Sequence, residues 1–223
     1  MATNVLKIEN YEVNSSVVKN VEIEASIFRQ SVLNGINEFK KVNKFHPITA
    51  AGSRAWSEIV ATFRQLVVTQ DANWKSEHMC GMPILVNSQL LTTIIITSGD
   101  KNTGMQNATP RTKNEKGQVT KNIVGQNYSL FEEPNEIVSS FTAIDPHQTW
   151  VFLYYLDKEA KEVRFELSLP LGTSLSGSSG KIKISDWKTR VIFPSVPFSG
   201  DDIDVVDTSF TDDSDFFEVI KKK

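Results

Sequence analysis

Apolar residues recur in the first third of the chain at steps of three and four. Val21, Ala25, Phe28, Val32, Ile36 and Phe39 fall on one stripe of a helix spanning residues 20 to 40. The rhythm returns over residues 49 to 69, where Trp56, Ile59, Val60, Phe63, Leu66 and Val67 form the stripe. Thr49 stands where an N-cap residue would accept an orphan amide.

The period then changes. "MPILV" and "LLTTIIIT" are rich in β-branched residues and separated by "NSQ", which predicts a hairpin. "TTIII" is apolar without alternation, so its strand is expected at the centre of a sheet with both faces covered, by the two helices. Beyond a polar stretch come "EIVSSFTAI", then "TWVFLYYL" and "EVRFELSL" around "DKEAK", a second hairpin. In its last strand Val163, Phe165, Leu167 and Leu169 alternate with Arg164, Glu166 and Ser168, which predicts one buried and one polar face. "GTSLSGSSG" has the composition of a flexible connector, and "KIKI" and "TRVIF" read as further strands around "SDW".

Two helices followed mostly by strands predict an α+β fold, with N-terminal amphipathic helices packed on a mainly antiparallel or mixed β-sheet. The expected organisation is one domain over 1–198, a long basic loop at 99–122 and an acidic C-terminal tail at 199–223.

Composition narrows the class. A chain of 223 residues with 39% apolar and 23% charged residues is long enough to bury a full core and unlike a disordered sequence. Its single cysteine, Cys80, excludes an internal disulfide framework and fits a reducing, cytoplasmic setting. No signal-peptide pattern or bilayer-length apolar run is seen, so no membrane association is expected.

The net charge of −3 hides an asymmetry. Residues 101 to 121 carry Lys101, Arg111, Lys113, Lys116 and Lys121 against Glu115, a local net of +4. Residues 200 to 218 carry Asp201, Asp202, Asp204, Asp207, Asp212, Asp213, Asp215 and Glu218 with no base. Opposite fields on separate segments point to charged partners.

Several chemistries lose support. His78 and Cys80 are the sole pair at ligand-like spacing, too few for a structural zinc site. "GTSLSGSSGKIK" lacks P-loop spacing, with Ile182 where Ser or Thr should hold magnesium. Nucleophile-elbow, zinc-protease, C-x-x-C and Rossmann motifs are absent.

Three constellations remain. In "SGDKNTG" Gly99 and Gly104 allow the backbone to turn, so that its amides, Thr103 and Lys101 would cradle a phosphate, with Arg111, Lys113 and Lys116 extending the positive field. The expected ligand is nucleic acid, against the bland reading of a turn with solvated lysines.

Glu58, Asp100 and Glu166 are the candidate carboxylates of a metal-dependent phosphodiesterase, since a hard Mg2+ ion takes oxygen ligands and activates water. The Glu-x-Lys element of restriction-endonuclease-like nucleases is missing, because Ser168 stands in the lysine position of "ELS". The bland alternative is ordinary surface pairing, Glu58 with Arg54 one turn earlier. Finally, the acidic tail with Phe210, Phe216 and Phe217 would suit a basic protein partner or the chain's own basic loop.

Overall fold

The structure, a computed structural model, describes residues 3–9, 11, 17–18, 21–129, 148–175 and 181–198. Within them the elements run β1 (Asn4–Lys7), β2 (Val17–Val18), β3 (Ile23–Glu24), α1 (Ala25–Lys40), α2 (Ala50–Gln70), β4 (Trp74–Met79), β5 (Met82–Asn87) and β6 (Thr92–Ser98). They continue with α3 (Gln118–Ser129), β7 (Gln148–Asp157), β8 (Glu162–Leu175), β9 (Ile182–Ile192) and β10 (Val196–Pro197). The class is α+β: one mixed sheet in the order β1-β9-β8-β7-β6-β5-β4, with β10 on the start of β8. Two neighbours are parallel, β1 with β9 and β6 with β7, and the other pairs are antiparallel.

Both predicted helices form. They approach so closely that a Cβ on Gly35 would lie 2.4 Å from Ile59 Cγ1, so glycine is the residue this crossing admits. Thr49 has helical dihedrals and its hydroxyl caps nothing; its carbonyl accepts the amide and hydroxyl of Ser53 instead. Trp56 is half-buried and donates Nε1–H to the Ile96 carbonyl at 3.2 Å, fastening α2 to β6.

The helices cover one face of the sheet only. There Phe28, Val32, Phe63 and Val67 pack with Trp150, Phe152, Phe165 and Leu167. Rings stack and tilt through the cluster, with Phe28 4.8 Å from Phe63, 5.1 Å from Phe152 and 4.6 Å from Phe193 between centroids.

The other face, expected beneath the helices as well, belongs to α3 and the segment before it. Val124 of α3 packs with Ile84, Ile95, Val151, Leu153, Ile184 and Trp187. Asn127 Nδ2 donates to the carbonyls of Thr149 and Pro170 at 3.0 and 3.1 Å, while its Oδ1 accepts the Thr149 amide at 2.8 Å. Residues 118–122, expected in a polar loop, are thus the first turn of a helix docked on β7 and β8.

Other departures have local reasons. β4 reads "WKSEHM" and buries only Trp74, so an edge strand with no apolar alternation was invisible. It turns into β5 through Cys80 and Gly81, both at positive φ, the geometry of a tight two-residue hairpin. The "polar" face of β8 is buried too, with Glu166 and Ser168 fully enclosed. "GTSL" extends β8, and "KIKI" through "TRVIF" form one continuous β9. "EIVSSFTAI" and the acidic tail lie outside the described residues.

The sheet closes on one side through the segment after β6. The Asp100 amide donates to the Arg111 carbonyl, and Lys113 N–H to the Ser98 carbonyl, so residues 111–113 pair with the end of β6. On its other edge Thr112 N–H donates to the Ile184 carbonyl at 3.1 Å, and the Ile184 amide donates to Thr112 Oγ1 at 3.2 Å. Four residues on, Lys116 and Ile182 exchange both backbone hydrogen bonds. Hydrogen bonds therefore run in a ring through β6, β7, β8, β9 and back by way of Thr112.

Candidate functional site

The segment 99–117 is built from its turn residues upward. Asp100 Oδ1 accepts the Asn102 amide at 3.0 Å and its carbonyl accepts Thr103 N–H, starting a tight turn. Gly104 continues it at φ 72°, against Arg164, where a Cβ would meet Arg164 Cβ at 2.8 Å. Gly99 is glycine for a different reason: a Cβ there would lie 2.0 Å from Thr103 Oγ1.

The amides proposed to hold a phosphate have internal acceptors. Gly99 N–H donates to the Tyr154 carbonyl, Thr103 N–H to that of Asp100, and Gly104 N–H to Glu166 Oε2 at 2.8 Å. An anion does sit on this glycine turn, and it is the protein's own carboxylate.

Glu166 in turn faces Arg190, a partner that no local sequence pattern announces. Arg190 Nε donates to Glu166 Oε1 at 2.9 Å and Nη2 to Oε2 at 2.6 Å, and Ser168 Oγ donates to Oε1 at 2.6 Å. Two further guanidinium hydrogens reach the carbonyls of Ala108 at 2.7 Å and Met105 at 3.0 Å. Burial of an ion pair is tolerable only where further hydrogen bonds of this kind satisfy its polar atoms. Trp187 Nε1 adds a bond to the Pro110 carbonyl at 2.8 Å.

The three carboxylates do not meet. Glu58 lies on α2, on the helix side of the sheet, and accepts the Thr62 hydroxyl at 2.9 Å. Glu166 projects from the opposite face, and Asp100 is engaged in its own turn. Among the described residues no group of three or more His, Cys, Asp or Glu could hold a metal ion.

The cations are distributed unevenly. Lys101 and Arg111 are exposed and Lys113 is half-buried. Lys116, expected on a solvated loop, is only 5% exposed, and its backbone pairs with Ile182. The same pairing sets residues 111–121 beside the start of β9, which brings Lys181, Lys183 and Lys188. The two segments together hold seven cations against Glu115 and Asp186, a local net of +5 in a chain of −3.

A second polar cluster lies at the far end of the segment's first turn. Arg164 Nη2 donates to the Lys101 carbonyl at 2.9 Å and Asp157 Oδ2 at 2.8 Å, with its Cζ 5.3 Å from the centre of the Tyr155 ring. Burial, then Asp157, pushes the Tyr155 phenol above its ordinary pKa, against the pull of Arg164.

The chain was compared with protein-family models, curated proteins and solved structures, and none of the three gave a match.

Proposed function

We propose that the protein binds a phosphate-bearing polyanion, nucleic acid in the first instance, along the cation belt formed by residues 111–121 and 181–188. The carrying observation is the Lys116–Ile182 backbone pairing, which aligns two basic segments that are remote in sequence. Charge density of this kind supplies sequence-independent affinity for a phosphate backbone. The amide cradle at 99–104 is not part of this reading, since Glu166 occupies it.

Thr112 and Lys116 tie the first segment to β9 by backbone hydrogen bonds, so the two segments stay side by side without a ligand to order them. The test is fluorescence anisotropy with labelled single- and double-stranded oligonucleotides across a salt series. Binding should weaken steeply with salt and be lost in Lys181→Glu/Lys183→Glu. Affinity that ignores salt, or survives the charge reversal, refutes the assignment.

A further inference from the structure

The turn joining α1 to α2 displays two apolar side chains that the fold does not use. Phe45 is 87% exposed and Ile48 67%, the two most exposed large hydrophobics among the described residues. The turn is built to show them: Asn43 Oδ1 accepts the Phe45 amide at 3.1 Å, the Asn43 carbonyl accepts His46 N–H at 3.0 Å, and Pro47 O accepts Ala50 N–H at 3.0 Å. Lys44 Nζ stands 5.3 Å from the Phe45 ring centre.

This surface is basic. From Phe39 to Ser57 the chain has Lys40, Lys41, Lys44 and Arg54 and no acid. The amino end of α2 adds partial positive charge, with no acidic residue in its first turn to offset it. Lys41 also pairs with Glu38, at the edge of the patch.

We propose that this turn is the docking site of the chain's own acidic C-terminal segment, residues 199–220. That segment matches it in both respects, carrying eight acids for the cations and Phe210, Phe216 and Phe217 for the exposed apolar pair. The belt at 111–121 and 181–188 offers charge alone, because none of the exposed large hydrophobics among the described residues falls in it.

Position favours the same pairing. The described chain arrives at Phe198, whose amide donates to the Lys161 carbonyl, with Val196 opposite Val163 on β8. Val163 lies opposite Leu156, and Leu156 packs on the Phe39–Ala51–Ala55 cluster at the base of the turn. Two inter-strand steps are about 10 Å, and a few extended residues at ~3.3 Å each cover that distance. The tether raises the local concentration of the segment into the millimolar range, on the order expected for short linkers. The proposal does not rest on nucleic-acid binding by the belt.

Zero-length carbodiimide coupling of the full chain at low micromolar concentration, mapped by mass spectrometry, tests it. Lys40, Lys41 and Lys44 should couple to acids between Asp212 and Glu218 in the monomeric product. The yield should fall about fivefold or more in 0.5 M salt as screening sets in, and as far in Phe45→Ser/Ile48→Ser. These exposed positions should leave the thermal melt unchanged, and Lys44→Glu serves as an independent second variant. Equal coupling to Lys121, Lys181 and Lys183, products found only as dimers, or a yield indifferent to both variants would overturn the contact. Phe45-dependent sedimentation of the full chain with phosphatidylserine–phosphatidylcholine vesicles would overturn it in favour of a lipid surface.

Discussion

Arg190 and Glu166 meet through two parallel hydrogen bonds in the interior, and between them they hold the amide of Gly104 and the carbonyls of Met105 and Ala108. The pair therefore fastens residues 104–108, the first part of the segment after β6, to the sheet. Each partner is enclosed, with side-chain exposures of 3% and 0%, so neither can be rescued by water if the other is removed.

Glu166→Ala should accordingly destabilise the protein by about 3 to 5 kcal/mol, as expected when one member of a buried pair is deleted. Replacing both residues by apolar ones, Glu166→Leu with Arg190→Met, should cost clearly less than the two single changes added together. Urea unfolding of the three variants measures both quantities. Additive losses would show that the two side chains act independently.

Phe63 is fully buried among Phe28 and Phe152, with ring centroids 4.8 and 5.1 Å away. Phe63→Ala should cost about 3 to 5 kcal/mol in denaturant unfolding, the range for truncating a core aromatic. A loss below about 1 kcal/mol would contradict the packing of α2 on the sheet.

Charge reversal along the basic segment should separate two kinds of lysine. Lys116→Glu should lower stability, because Lys116 is buried, whereas Arg111→Glu should leave the melt unchanged. Differential scanning calorimetry of the two variants decides the matter. Equal melts would place Lys116 in solvent.

Tyr11 donates its hydroxyl to the Pro194 carbonyl at 2.7 Å, and burial raises its pKa well above the ordinary 10.0 despite Arg29 nearby. The native state thus holds a proton that the unfolded chain releases near pH 10. Its contribution is complete below that pH and is lost as the pH climbs through the unfolded value towards the folded one. The Tyr11 contribution should be level up to about pH 10 and then fall, and Tyr11→Phe should remove its share of the alkaline slope. Ultraviolet titration of tyrosinate alongside urea unfolding at stepped pH provides the check.

The helical stripe and the β7–β8 hairpin were legible because each buries a regular set of apolar positions; Phe28, Phe63, Phe165 and Leu167 all face the same core. What escaped was held by polar contacts. α3 docks through Asn127 and Val124 rather than through a full apolar stripe, so its sequence resembles a loop. Glu166, flanked by Phe165 and Leu167, read as a solvent-facing charge, and its true partner lies 24 residues away on the next strand. A signal was present in Arg190, a charge set within the apolar "TRVIF" run, but no local pattern pairs it with Glu166. The lysine belt was invisible for a similar reason, since only the folded backbone puts Lys116 beside Ile182.

The ring of hydrogen bonds closed by Thr112 has a kinetic consequence. Its last link joins residues 72 positions apart, and such long-range closure is entropically costly until the strands on either side are in place. The closing step should fall after the main folding barrier. Thr112→Val, which removes the acceptor for the Ile184 amide, is expected to accelerate unfolding while leaving the refolding arm of the chevron almost unmoved. The ring then acts as a latch, fastened late, that governs how long the native state lasts more than how quickly it is reached.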